Sequence, residues 1–339
     1  MALFDRLASA LFGGADNSAD AELMAQTVDA VVDAVEPKVR MDSGYQGKLQ
    51  PCIRKTIEYL RSIAREPLAP VLLARAAWAS DPRVNAFFAT ADDVPACLGR
   101  RQELRRFFDQ NAGAQEAYAL LGMKKEERSV LGMDLRGDAV QRDVAQTLVS
   151  FSGHRIVAPH ATLAAGRLEV GRRLIARLAQ VALSRIVAAD QKASELDSHK
   201  AYLGARLRVL RLAEDGMEGV VKDPSQIAAD RQALERELKD TVEGYIEAKG
   251  SLATLDGHIG HMRDVFSHPE QHVAVSRTRL RVSHTGVKLE ASAAGPVNEL
   301  ELTELSIGAD FRAAVAVVRC PRAEMPTKED LIAQAERSL

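Results

Sequence analysis

Aromatic residues are scarce in this chain. Phe, Trp and Tyr make up 4% of it, and Trp78 is the sole tryptophan. That is too little for a surface on which single-stranded nucleic acid would stack. An excess of either charge is also missing: 45 Lys and Arg stand against 47 Asp and Glu, a net charge of −2. The whole chain therefore has no electrostatic pull toward nucleic acid, and no nucleic-acid partner is expected. Cysteines number three, Cys52, Cys97 and Cys320. They are far apart, without metal-ligand spacing, and their odd count fits free thiols in a reducing compartment. No run approaches twenty apolar residues, so no transmembrane helix is expected. The opening MALFDRLASALFGG is interrupted by Asp5 and Arg6 and does not read as a signal peptide. A cytoplasmic protein is the expectation.

Catalytic signatures are missing too. There is no Gly-x-x-x-x-Gly-Lys loop, no Gly-x-Gly-x-x-Gly after a strand and no Gly-x-Ser-x-Gly elbow. Ser152 and His154 lack an orienting acid. His258, His261 and Asp264 recur at i, i+3 and i+6, yet without the His-Glu-x-x-His pattern of a zinc helix. Neither an enzyme, a metal site nor a bound cofactor is expected.

What the chain does have is periodicity. Residues 1–14 place Leu3, Phe4, Leu7 and Leu11 on one helical face, an amphipathic N-terminal helix. Residues 15–115 read as a helical domain, with candidate helices at 20–36, 48–66, 68–79 and 93–111 punctuated by prolines. The basic run Arg100 to Arg106 reads as a solvated helix face with Leu104, Phe107 and Phe108 turned inward. From 116 to 158 the period shortens. AYALLGM, SVLGMDL, VAQTLV and HRIVA read as short strands with a turn at 136–138.

Between Pro159 and Pro224 there is no proline. Leu168, Ile175, Ala182, Ala189, Leu196, Leu203 and Leu210 recur every seven residues, with Ala179, Ile186, Ala193 and Leu207 as a companion row. After the break at 222–226, Leu238, Tyr245, Leu252, Ile259 and Phe266 do the same. Two such rows are a coiled-coil seam, and 159–268 is expected to be a helical hairpin. The seam is satisfied within one antiparallel hairpin or between subunits of a homo-oligomer. After 269 the chain returns to strands up to 322, and 323–339 reads as a C-terminal helix capped by Thr327.

Two decapeptides in the strand regions match. Val149 to Ala158 reads VSFSGHRIVA, and Val282 to Ala291 reads VSHTGVKLEA. Each suggests a strand, a Ser-containing turn with Gly at positive φ, and a departing strand. The second copy continues as GVKLEASAAGPVNELELTELSIGADFRAAVAVVRC. This stretch resembles the later part of a PilZ domain, and KKEERSVLGMDL before the first copy resembles that family's basic motif. The resemblance implies a small antiparallel β-barrel. It also implies cyclic di-GMP as ligand, held by an Arg-x-x-x-Arg motif and an Asp/Asn-x-Ser-x-x-Gly motif. Carried across residue by residue, the ligand-binding positions are Lys124, Arg128, Ser150 and Gly153 in the first copy. In the second they are Arg277, Arg281, Ser283 and Gly286. The chain departs from the pattern at the Asp/Asn position, where Leu148 and Arg281 stand.

The expectation is an α+β chain: an N-terminal helical bundle and a PilZ-like barrel with a long antiparallel helical hairpin inserted. Its expected job is that of a non-catalytic signalling adaptor or assembly factor that meets protein partners. The alternative is a coiled-coil scaffold attached peripherally to a membrane through residues 1–14.

Overall fold

The computed structural model describes residues 17–64, 69–100, 102–136, 139–214, 224–250, 252–289, 297–308 and 311–326. The N-terminal helix 1–14 and the C-terminal helix from Thr327 lie outside them. Contacts divide the chain into a sheet unit (57–174 and 269–326 of the described residues) and a helical unit (17–56 and 175–268). The chain is α+β, as its periodicities indicate.

The sheet unit has six strands. They are β1 (Val71–Leu72), β2 (Glu116–Arg136), β3 (Ala139–His160), β4 (Val273–Val282), β5 (Asn298–Ile307) and β6 (Phe311–Pro321). Their order is β3-β2-β6-β5-β4, antiparallel throughout, with β1 added parallel to β6. β5 pairs β6 only as far as Val315, and β1 takes the edge so freed at Val318 and Arg319. Where a closed barrel was expected, the sheet is open, with β3 and β4 at its ends.

Alternation decides its faces. Ala117, Ala119, Leu121 and Met123 of β2 and Ala314, Ala316, Val318 and Cys320 of β6 are buried on one side. Three short helices cover that side: α3 (Pro82–Phe87), α4 (Asp93–Gly99) and α5 (Gln102–Gln110). They contribute Val84, Phe87, Leu98, Leu104 and Phe108 to one core, joined by Phe88 just after α3. Each such side chain stabilises the unit by roughly 1.5–3 kcal/mol. As the sequence suggests, Leu104 and Phe108 face inward while Arg106 stays outside with Gln102.

Several expected elements differ. The four short strands of 116–158 are two long ones of 21 and 22 residues. The glycines read as breaks are absorbed into the ladder, as register shifts beside Gly122 and Gly132 and as a positive φ at Gly153. VSFSGHRIVA is therefore continuous strand, not a hairpin. The helix expected at 68–79 is instead β1 and a 3-10 segment, Arg75–Ala79. Between Pro70 and Pro82 only a short run is free to bond, and it gains more from the β6 edge. The helix expected at 93–111 is broken after Gly99 into α4 and α5.

The helical unit holds α1 (Asn17–Val35), most of α2 (Tyr45–Ala64), most of α6 (Leu163–Glu214), α7 (Pro224–Gly250) and α8 (Leu255–Ser267). Val28, Val32, Leu49, Ile53, Met262 and Phe266 are among its fully buried residues. The Thr56 hydroxyl donates to the Phe266 carbonyl at 2.6 Å. The expected seam is present: Ile175, Ala179, Ala182, Ile186, Ala193, Leu203 and Leu207 are buried along α6. α7 runs antiparallel beside it. Leu203 and Leu207 pack with Leu234 and Leu238, and Leu196 lies against Gly244. Lys200, the polar member of the row, sits 4.4 Å over the Tyr245 ring and pairs with Asp197. The second arm is not one helix to Ser267. It stops at Gly250, a weak helix former, and Thr254 starts α8 by accepting from the Gly257 amide.

Among the described residues no helix is long and apolar enough to cross a membrane. Among the described residues no cysteine is in a disulfide, and Cys52, Cys97 and Cys320 are all buried.

Candidate functional site

The eight residues taken from the resemblance fall in three places. Lys124 and Arg128 stand on β2, both largely exposed, and both pair with Glu126 at 2.7 Å. In register across the ribbon, Lys124 faces Ser152, while Glu126 faces Ser150 and Arg128 faces Leu148. Arg277 and Arg281 stand on β4, opposite Thr303 and Glu299, and Arg281 lies 3.2 Å from Glu299. Ser283 and Gly286 form a true turn. The Ser283 hydroxyl accepts from the Thr285 and Val287 amides, and Gly286 has φ 81°.

That turn brings the two matched decapeptides together. The Val149 amide donates to the Gly286 carbonyl at 2.8 Å, and the Lys288 amide donates to the Thr147 carbonyl at 2.8 Å. Val287 thereby bridges Leu148 of β3, and Lys288 bridges Val282 of β4. Lys288 also reaches Glu127 at 3.1 Å. Val149, Leu280, Val282 and Leu300 fill the space beneath the turn. Ser150 and Gly153 lie further along β3 and are not part of the contact; neither are Lys124 and Arg128.

His154 is structural. Its ring stacks on Phe88 at 4.6 Å, and Nε2 donates to the Phe87 carbonyl at 2.7 Å. Burial depresses its pKa despite that carbonyl, which keeps the imidazole neutral. Ser152 is exposed beside it. Among the described residues no cluster of His, Cys, Asp and Glu could hold a metal ion.

The most unusual surface is on α6, and the heptad rows gave no sign of it. Leu183, Val187, Tyr202, Val209 and Leu212 are exposed, the last four by 56% to 73%. At 100° per residue these five fall within an arc of about 100°, turned away from the buried seam. Between them the arc carries Gln191, Ser194, Ser198, Ala201 and Ala205, all short or uncharged. A solvated outer face of a hairpin would carry charge there. The signal was available in the sequence, as apolar residues out of step with the heptad.

The stripe is self-complementary about Ser198. Val187 and Val209 lie eleven residues to either side of it, and Ser194 and Tyr202 lie four to either side. Leu183 is fifteen before and Leu212 fourteen after. On one flank of the stripe stand Asp190 and Arg208, both exposed, and neither makes an ion pair among the described residues.

No protein family, curated protein or solved structure compared with this chain matches it.

Proposed function

We propose that this chain is a non-catalytic assembly or adaptor protein that works as an antiparallel dimer, joined by the outer face of α6. The observation that carries this is the apolar stripe centred on Ser198. Two copies laid antiparallel on a two-fold axis through Ser198 set Val187 against Val209 of the second copy. They set Leu183 near Leu212, and the second copy repeats each contact in reverse. Asp190 then falls two residues from the level of Arg208 on the same flank, which gives one ion pair at each end. The stripe from 183 to 212 is roughly 45 Å long and about 10 Å wide. Counted on both copies that is on the order of 900 Å², near the lower bound of about 1,000 Å² for a specific interface. The dimer is therefore reversible.

Sedimentation of charge variants tests this. Asp190→Arg and Arg208→Asp each place like charges at both ends of the interface and weaken the dimer by about tenfold or more. The double variant restores the pairs and the wild-type dissociation constant. Equal sedimentation of all four proteins at every concentration would remove the proposal.

The bridges from the Ser283 turn to β3 also support a finer reading of the fold, a barrel closed through that turn instead of a full ladder. Cyclic di-GMP forms no part of the proposal, because its eight assigned residues are divided among the ribbon, β4 and the turn. The attachment of a scaffold to a membrane rests on residues 1–14, which lie outside the described residues.

A further inference from the structure

The sheet unit has a second face. There, Leu60 of α2 and Val170 of α6 lie over Leu120 of β2 and Val317 of β6, leaving a cavity of about 130 Å³ between helices and sheet. Gly166 and Gly171 of α6 also line it, which is why the helix does not fill it. Most of the walls are apolar. Thr303 of β5 lines the cavity, is 4% exposed, and its hydroxyl has no hydrogen-bond partner among the described residues.

A buried hydroxyl left unbonded costs about 1–3 kcal/mol. Two guanidinium groups lie close by. Arg277 stands directly opposite Thr303 in the β4–β5 ladder, so both side chains leave the sheet on the same face. Arg167 of α6 is half-buried, lines the same cavity and makes no ion pair among the described residues. A hydroxyl and two cationic side chains thus line one otherwise largely apolar space. That space is close in size to an engineered cavity of about 150 Å³ that takes up benzene.

We propose that this cavity binds a small carboxylate of about six carbons in all, with an apolar tail. The tail fills the space between Val170 and Val317. The carboxylate accepts from the Thr303 hydroxyl and pairs with Arg167 and Arg277. This site lies wholly within the sheet unit, so it stands or falls independently of the α6 dimer.

The test is titration of the full chain with hexanoate, and separately with neutral hexanol, followed by the methyl NMR shifts of Leu120, Val170 and Val317. Saturable shifts are expected with hexanoate. Arg167→Gln should weaken hexanoate by about tenfold and leave hexanol unchanged. Val170→Phe, which fills the space, should abolish both. Absence of saturable shifts with hexanoate would overturn the proposal. So would an Arg167→Gln variant that binds hexanoate as tightly as wild type, and this arm holds even where Val170→Phe fails to fold.

Discussion

Gly286→Ala is expected to cost the sheet unit about 3 kcal/mol. Two causes add. At φ 81° an alanine is strained by roughly 1–2 kcal/mol. Its Cβ would also stand 2.7 Å from the Val149 carbonyl oxygen, which is backbone and cannot turn aside. Relief requires the turn to lift from β3, and with it go the Val149–Gly286 and Lys288–Thr147 hydrogen bonds. Gly153 is the control. Its φ is 63°, but nothing among the described residues lies within 4 Å of an added Cβ, so Gly153→Ala should cost only about 1 kcal/mol. Urea unfolding of the two variants separates them. Equal losses would mean that the turn does not seat against β3.

The second large effect is expected at Glu304. Its side chain is almost fully buried on β5, yet Lys125 lies 2.7 Å away and Arg312 forks onto it. Burial alone would raise its pKa; the two cations outweigh burial and hold it below the ordinary carboxylate range. A carboxyl whose pKa is depressed on folding stabilises the native state above its unfolded value, near pH 4.3. That contribution disappears as pH falls through the lower, folded value. Glu304→Gln should therefore cost about 3 kcal/mol at pH 7, chiefly because Lys125 then keeps, among the described residues, only Glu127 at 3.4 Å. Arg312 is mostly exposed and loses little. The variant should also lose less stability than wild type between pH 5 and pH 3. Parallel acid limbs for the two proteins would show that the pKa of Glu304 does not fall on folding.

The hairpin was the most legible part of the fold. Heptad spacing is a property of one helix face and needs no tertiary information, so Ile175 to Leu207 could be placed on the seam from spacing alone. The strands were harder. Gly122, Gly132 and Gly153 carry the same local signal whether they end a strand or bulge within it, and only the partner strand decides. For that reason VSFSGHRIVA and VSHTGVKLEA, alike in sequence, became strand and turn. Their contact across β3 depends on chain folding over more than a hundred residues and has no local trace. The orphan hydroxyl of Thr303 was equally invisible, because ELELTELSI alternates normally and the gap above it is left by glycines on a distant helix.

Self-crosslinking at Ser198 tests the central proposal most directly. Cys52, Cys97 and Cys320 are buried, so a cysteine placed at exposed Ser198 is the accessible thiol among the described residues. On the proposed axis it meets its own copy, and mild oxidation of Ser198→Cys should give a disulfide-linked dimer in high yield. A cysteine at Ser184 lies roughly 40 Å from its symmetry mate and should give none. A monomer at Ser198, or equal dimer from both positions, would contradict an antiparallel pairing through α6.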